Sequence, residues 1–399
     1  MNKQNRPGEQ TITDDILKME FDLNTITHLG AQLYSSLPPV IGELVSNSFD
    51  AEAEVVTITI NRDLKQIKVS DDGHGMSFSE LNTHFLRIGR NRRTDNTTGW
   101  SKNNLRKVTG RKGLGKLAIF GIADEITVTT VCNGLKNSFE INYNKIKQIS
   151  SHERYYKPDI LIKDQVTSET DGTEVVISNI RLKTITHTIY LARSLSSKFE
   201  FFDKNFNVHI KDKEMDVTVT NELFIEKLNI DQEWTFPTDF PEDKFDWLRT
   251  KNVNGKIFTC NTPLKSEDRG FILYARGKLV QERSFFNDRS NDFFNNYVLG
   301  HFNIDFVDEK NEDFISTDRS SLFWENDDEL IKLKSELDSL VRYIQTKWRK
   351  YREKEMTTQV TSILDKDFYD ELNKQEKTMV ENITRSLVKD FSQNNNPSK

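Results

Sequence analysis

"VIGELVSNSFDAEA", residues 40–53, is the stretch on which the fold turns. Val40, Leu44, Val45 and Phe49 fall at helical spacing and predict one buried stripe, yet Glu43, Asn47 and Asp50 share a neighbouring face at i, i+4 and i+7. A polar helix face is ordinarily a solvated one, so the surroundings decide what this one meets. On its N-terminal side "LPP", residues 37–39, marks a turn that feeds a helix beginning near Val40. On the other side "VVTITINRD" (55–63) and "QIKVSDDG" (66–73) read as two strands joined by a short polar turn. Residues 78–109 then form a long polar connection with a short helical start at "FSELNTHFLRIG"; structureless loops of that length are lids, binding loops or disordered segments.

Beyond it, "GRKGLGKLAIFGIAD" opens on glycines and becomes an apolar helix, followed by the strands "EITVTTV", "NSFEINY" and "GTEVVISNI". Helices mixed with runs of consecutive strands predict an α+β sandwich, with helices on one face of a mostly antiparallel or mixed sheet. Composition shifts around 180–200, which sets domains at 1–184, 185–325 and 326–399. The second holds the strands "FNVHI", "GKIFTC" and "GFILYARGKLV". The third is helical: Leu330, Leu333, Leu337, Leu340, Ile344 and Trp348 make a heptad-like stripe that faces a partner or the second domain. A polar arm (1–15) and a low-complexity tail, "SQNNNPSK", are expected to be disordered.

A chain of 399 residues can bury more than one core. With 35% hydrophobic and 30% charged residues, and a mean hydropathy of -0.65, it reads as a globular protein of the cytoplasm. No apolar run approaches the roughly 20 residues of a membrane span, and the start lacks the apolar core of a signal peptide. Cys132 and Cys260, far apart, argue against a disulfide scaffold or cysteine zinc site. A net charge of -6 gives no global reason to expect nucleic acid, although "KWRKYREK" (347–354) is a local basic patch.

Four stretches carry the chemistry. The first is the opening helix. The second is "DDGHGM" (71–76), directly after a strand, where an acid precedes glycines that let the backbone turn beside a ligand. The third is "GRKGLGK" (110–116), whose free amides and following helix suit phosphate oxygens, although it is not a Walker A loop. The fourth is "GTEVV" (172–176), a strand with a hydroxyl at its start. Singly each signal is weak; an isolated glycine turn before a helix is common.

Together and in this order they resemble the GHKL superfamily of ATPases, which includes the DNA gyrase B subunit, the large heat-shock chaperones, histidine kinases and MutL, with the MORC proteins as relatives. The E-x-x-x-N-x-x-D-A pattern stands as "ELVSNSFDA" (43–51), D-x-G-x-G as Asp71, Gly73 and Gly75 followed by Met76, G-x-x-G-x-G as Gly110, Gly113 and Gly115, and the strand threonine as Thr173. The resemblance, to a bacterial MORC-like or chaperone-like member, implies a Bergerat-fold α/β sandwich over roughly the first 180 residues, then a transducer-like α/β domain and a C-terminal helical segment.

It also implies roles. Asn47 would coordinate Mg²⁺ bridging the phosphates of ATP, a neutral oxygen suiting a hard cation beside a polyanion. Glu43 would be the general base for the attacking water. Asp71 would accept from the adenine amino group, with Thr173 in support, while Asp50, Gly73, Gly75 and Met76 line the pocket. Within the lid, Gly110, Gly113, Leu114 and Gly115 would approach the phosphates, and Arg90 and Lys116 would contact them. "EDFISTDRSSLFWEND" (312–327) resembles the chaperone stretch that sends an arginine to the γ-phosphate, which assigns that task to Arg319, with Lys278 in "YARGKLV" as the competing sensor.

The implied activity is slow Mg²⁺-dependent ATP hydrolysis that drives lid closure and an ATP-dependent homodimer, working with a separately encoded protein partner in DNA transactions or anti-phage defence. Two alternatives stand beside it: a protein kinase of the same fold, and a DNA-binding or other nucleic-acid-binding module with structural nucleotide.

Overall fold

A computed structural model describes residues 36–87, 99–109, 119–148, 156–287, 292–310, 312–363 and 366–383. The chain divides into two compact units, one running to Lys227 and including Arg276–Leu279, the other made of Leu228–Ala275 and the chain from Val280.

Helix α1 spans Leu37–Asp50, so "LPP" forms its first turn rather than a turn before it. Prolines fit there because the first helical positions need no N–H and favour the fixed proline φ. Val40, Ile41, Leu44 and Val45 are buried, while Phe49 stacks on Phe201 at 4.1 Å. Strands β1 (Val55–Asn61) and β2 (Gln66–Asp71) pair antiparallel in the expected order. Alternation along β1 sends Val56, Ile58 and Ile60 into the core.

Next come α2 (Phe78–Glu80), β3 (Ala123–Cys132), β4 (Leu135–Asn142), α3 (Tyr143–Lys147), β5 (Asp159–Val166), β6 (Gly172–Ile180), α4 (Thr188–Ser196), β7 (Asn207–Lys211) and β8 (Asp216–Val219). The eight strands form one sheet, in the order β5-β4-β3-β6-β2-β1-β7-β8. All pairs are antiparallel except β1 with β7. Residues of α1 and α4 share one core with the buried side chains of the sheet. The sequence break expected after residue 184 therefore falls inside this unit: "FNVHI" joins the first sheet, because β7 lies parallel to β1 across a long crossover.

The second unit carries β9 (Ile230–Phe236), α5 (Asp246–Thr250), β10 (Asn254–Cys260), β11 (Gly270–Ala275), β13 (Val298–Asn303) and, from Val280 on, β12 (Lys278–Ser284), with the strands in the order β12-β11-β13-β10-β9. "GFILYARGKLV" is two strands, turned at Arg276 and Gly277, both in the left-handed region. The long α6 (Asp328–Ile363) lays Leu330, Leu333, Leu337, Leu340, Ile344 and Trp348 into this unit's core. Helix α7 (Lys366–Glu371) and a helix over 374–383 follow. Among the described residues no helix is long and apolar enough to cross a membrane.

The connection expected to be structureless is built where it is described. Ser77 and Glu80 cap α2 reciprocally, and a π turn over Leu81–Phe85 follows. Residues 99–108 close a short hairpin through a Trp100–Lys107 bridge, with Ser101 N donating to Arg106 O at 2.8 Å and Val108 N to Gly99 O at 3.0 Å. Of the apolar helix expected after the glycines, the described part is a single turn at 119–121 leading into β3.

Candidate functional site

The polar face of α1 is spent on three different neighbours. Glu43 Oε1 accepts from Lys278 Nζ at 3.0 Å, and the same ammonium donates to Ser46 Oγ at 3.0 Å. Ser46 Oγ meets Thr109 Oγ1 at 2.7 Å, and Thr109 donates through its N–H and hydroxyl to Asp50 Oδ1 at 2.8 and 3.0 Å. Lys278, Ser46, Thr109 and Asp50 are all buried. A buried ammonium is tolerable only with a carboxylate and hydroxyls around it, so this chain of contacts ties the base of the helix face to residue 109, just before the glycine-rich segment.

Asn47, between these two ends, faces a cavity of about 350 Å³, within the range of small-molecule sites. Its wall also includes Asp50, Asp71, Gly75, Met76, Trp100 and Thr173. Glu43, one turn before Asn47, is not part of that wall. Asp71, at the end of β2, receives donors only: Ser48 Oγ to Oδ2 at 2.7 Å, Gly73 N and Thr173 N to Oδ1 at 3.1 and 3.2 Å. Burial raises its carboxyl above the ordinary aspartate range, against the pull of those donors. Opposite it, Thr130 on β3 is the register partner of Thr173, bonds to its hydroxyl at 3.3 Å, and accepts from Met76 N at 2.9 Å.

The glycines of "DDGHGM" are fixed by contact. A Cβ at Gly73 would meet Ala51 O at 2.7 Å. Gly75 has φ +58°, and a Cβ there would lie 1.9 Å from Val131 O. The acid-bearing loop is thereby pressed between the end of α1 and strand β3.

The 99–109 hairpin is clasped from the end of α1. Glu52 accepts from Ser101 Oγ, Asn103 N and Nδ2, and Leu105 N; partial burial pushes its carboxyl up, but these donors together hold it below the usual range. Arg106 donates to the carbonyls of Phe49, Ala53 and Asn205 and lies over the Phe49 ring. Arg276 Nη1 reaches Val108 O at 3.4 Å, so the turn that carries Lys278 also supports this hairpin.

Arg90, Gly110, Gly113, Leu114, Gly115 and Lys116 lie outside the described residues. Arg319 belongs to the second unit, where it is the left-handed residue of a tight turn and donates its N–H to Ser316 O at 3.0 Å. Sequence reasoning passed over Ser46, Ser48, Thr109 and Thr130; the first two flank Asn47, and Thr130 could have been found only from the β3–β6 register. Among the described residues no cluster of three or more His, Cys, Asp or Glu could hold a metal ion. A lone amide oxygen suits a cation carried chiefly by ligand phosphates and water, which is how Mg²⁺ commonly binds.

Residues 34–173 match the family described as "Histidine kinase-, DNA gyrase B-, and HSP90-like ATPase". The chain is 28% identical, over 86% of its length, to the candidate type II restriction enzyme HgiDII of Herpetosiphon aurantiacus, of which it covers 58%. It is 28% identical to the DNA mismatch repair protein MutL of Crocosphaera subtropica over 37% of this chain and 24% of that protein. Against the chaperone protein HtpG of Francisella tularensis subsp. holarctica the identity is 28%, over 40% of this chain and 27% of the chaperone. The chain thus spans little more than half, or about a quarter, of these relatives.

Proposed function

We infer that this chain binds and hydrolyses ATP, proceeding from the match of residues 34–173 to the histidine kinase-, DNA gyrase B- and HSP90-like ATPase family. The observation that carries the reading is Asp71, a carboxylate on a cavity wall whose protein partners are all donors. An ionised carboxylate with lone pairs to spare accepts the C6 amino group of adenine; guanine, with a carbonyl at that position, offers it none.

In this reading Asn47 holds Mg²⁺ together with the phosphates, and the ion supplies charge neutralisation there. Glu43 orients and deprotonates the attacking water. Lys278, 3.0 Å from Glu43, is the cation the first unit offers to an arriving γ-phosphate; Arg319 is the cation the second unit offers for the same task. Arg90 and the glycine-rich segment with Lys116 take the lid role. ATP would favour a closed form by binding it better than the open one, and closure would drive dimerisation.

The likeness to a candidate restriction enzyme supports work on DNA, in defence; a separately encoded protein partner is part of the same proposal, by analogy alone. Of the basic patch at 347–354, Arg352 donates to the carbonyls of Cys260 and Asn261 and Trp348 is buried, while Lys347, Arg349, Lys350 and Lys354 are exposed, so the nucleic-acid-module alternative keeps a local charged surface.

The test is hydrolysis by the wild type beside Glu43→Ala. The variant is expected to bind ATP and to turn it over roughly 100-fold more slowly or worse. Equal rates would overturn the assignment of the base. Sizing with a non-hydrolysable analogue then reads the dimer.

A further inference from the structure

We propose that Trp100 is the stacking platform of the cavity, the aromatic face on which the base of the bound nucleotide stacks. The inference rests on the ATP-binding reading and names a residue that reading did not assign. Trp100 lines the same cavity as Asp71, Asn47 and Thr173, and the residue is 37% exposed.

Yet it is fixed with care. Its hairpin is bridged at Trp100–Lys107, tied by four acceptor contacts to Glu52, and pinned by Arg106 to three backbone carbonyls. Arg276 holds the hairpin's far end at Val108. Such bracing sets an aromatic plane in place before a ligand arrives, which lowers the ordering cost of binding. The phenyl ring on the wall, Phe85, is turned edge-on to Phe139 at 5.8 Å and packs against the core, and the remaining rings there are the smaller imidazoles of His74 and His84.

The polar and aromatic parts then divide the labour. Asp71, Ser48 and Thr173 read an edge of the base, which fixes its plane; a flat ligand held by its edge needs a flat neighbour for its face. Trp100 supplies that neighbour, and because every base has a π-face, it adds affinity while Asp71 keeps the choice of adenine.

The other four tryptophans, Trp234, Trp247, Trp324 and Trp348, belong to the second unit, so Trp100 is the only indole reporter of the first. The experiment titrates ATP into the full chain by calorimetry and by tryptophan fluorescence, for wild type, Trp100→Phe and Trp100→Ala. Expected are quenching of wild-type emission on ATP binding, loss of that quench in Trp100→Phe with affinity kept within about threefold, and an affinity loss of roughly 5- to 100-fold in Trp100→Ala. A quench of full size in Trp100→Phe, or wild-type affinity in Trp100→Ala, overturns the platform while leaving ATP binding intact. Absence of ATP binding by the wild type overturns both together.

Discussion

Replacing Lys278 by Met keeps the aliphatic stem but deletes the ammonium that meets Glu43 and Ser46, each at 3.0 Å. The lysine side chain is 6% exposed and that of Glu43 23%. Removing one partner of a fully buried pair costs about 3–5 kcal/mol. Water that reaches the partly open Glu43 repays some of this, so a loss of about 2–3 kcal/mol is expected. Amide hydrogen exchange of residues 37–50 reads it locally: α1 should exchange roughly 30- to 150-fold faster in the variant. A cycle with Glu43→Gln isolates the pair, and the two changes together should cost about 1–2 kcal/mol less than the sum of each alone. Unchanged protection of α1, or strict additivity, would refute the claim that this contact joins the turn at 276–279 to the helix.

Two further outcomes follow from the same geometry. Gly75→Ala combines a left-handed backbone with a Cβ 1.9 Å from Val131 O, so thermal unfolding of the first unit should show a loss of roughly 3 kcal/mol or more; an unmoved midpoint would mean that the loop does not press on β3. Because burial raises the Asp71 carboxyl, it takes up its proton at a higher pH than an ordinary aspartate. Native Asp71 therefore binds its proton more tightly than the unfolded chain does, so its contribution to stability is full below the unfolded value and is lost as pH rises through the native one. ATP needs the ionised form, so affinity measured across the acid range should fall already above the ordinary aspartate value, whereas an affinity flat down to that value contradicts the role.

Local chemistry made much of this legible. Val40, Leu44 and Val45 against Glu43, Asn47 and Asp50 defined α1 and its odd face, and the acid and glycines after β2 are where the turn and cavity require them. What stayed hidden is long-range or lacks pattern. Strand β5 is exposed along almost its whole length, with Ile160, Leu161 and Val166 open, so no alternation announced it. Strand β7 joins β1 across some 150 residues, which no window reveals and which moved the unit boundary past 184. The hairpin at 99–109 reads as polar loop because Glu52 and Arg106, not its own side chains, hold it. Lys278 meets Glu43 only because a strand-like run breaks at Arg276 and Gly277.

The most direct measurement is calorimetric titration of ATP and GTP against wild type and Asp71→Asn. The amide fits the native contacts: its oxygen can take the N–H groups of Gly73 and Thr173, and its NH₂ can face Ser48, whose hydroxyl can accept. It should therefore fold, while presenting a donor where the adenine amino group needs an acceptor. The account predicts ATP binding by wild type with GTP much weaker, and no ATP binding by folded Asp71→Asn. Equal ATP affinity in the two proteins, or no preference for ATP over GTP, would contradict it.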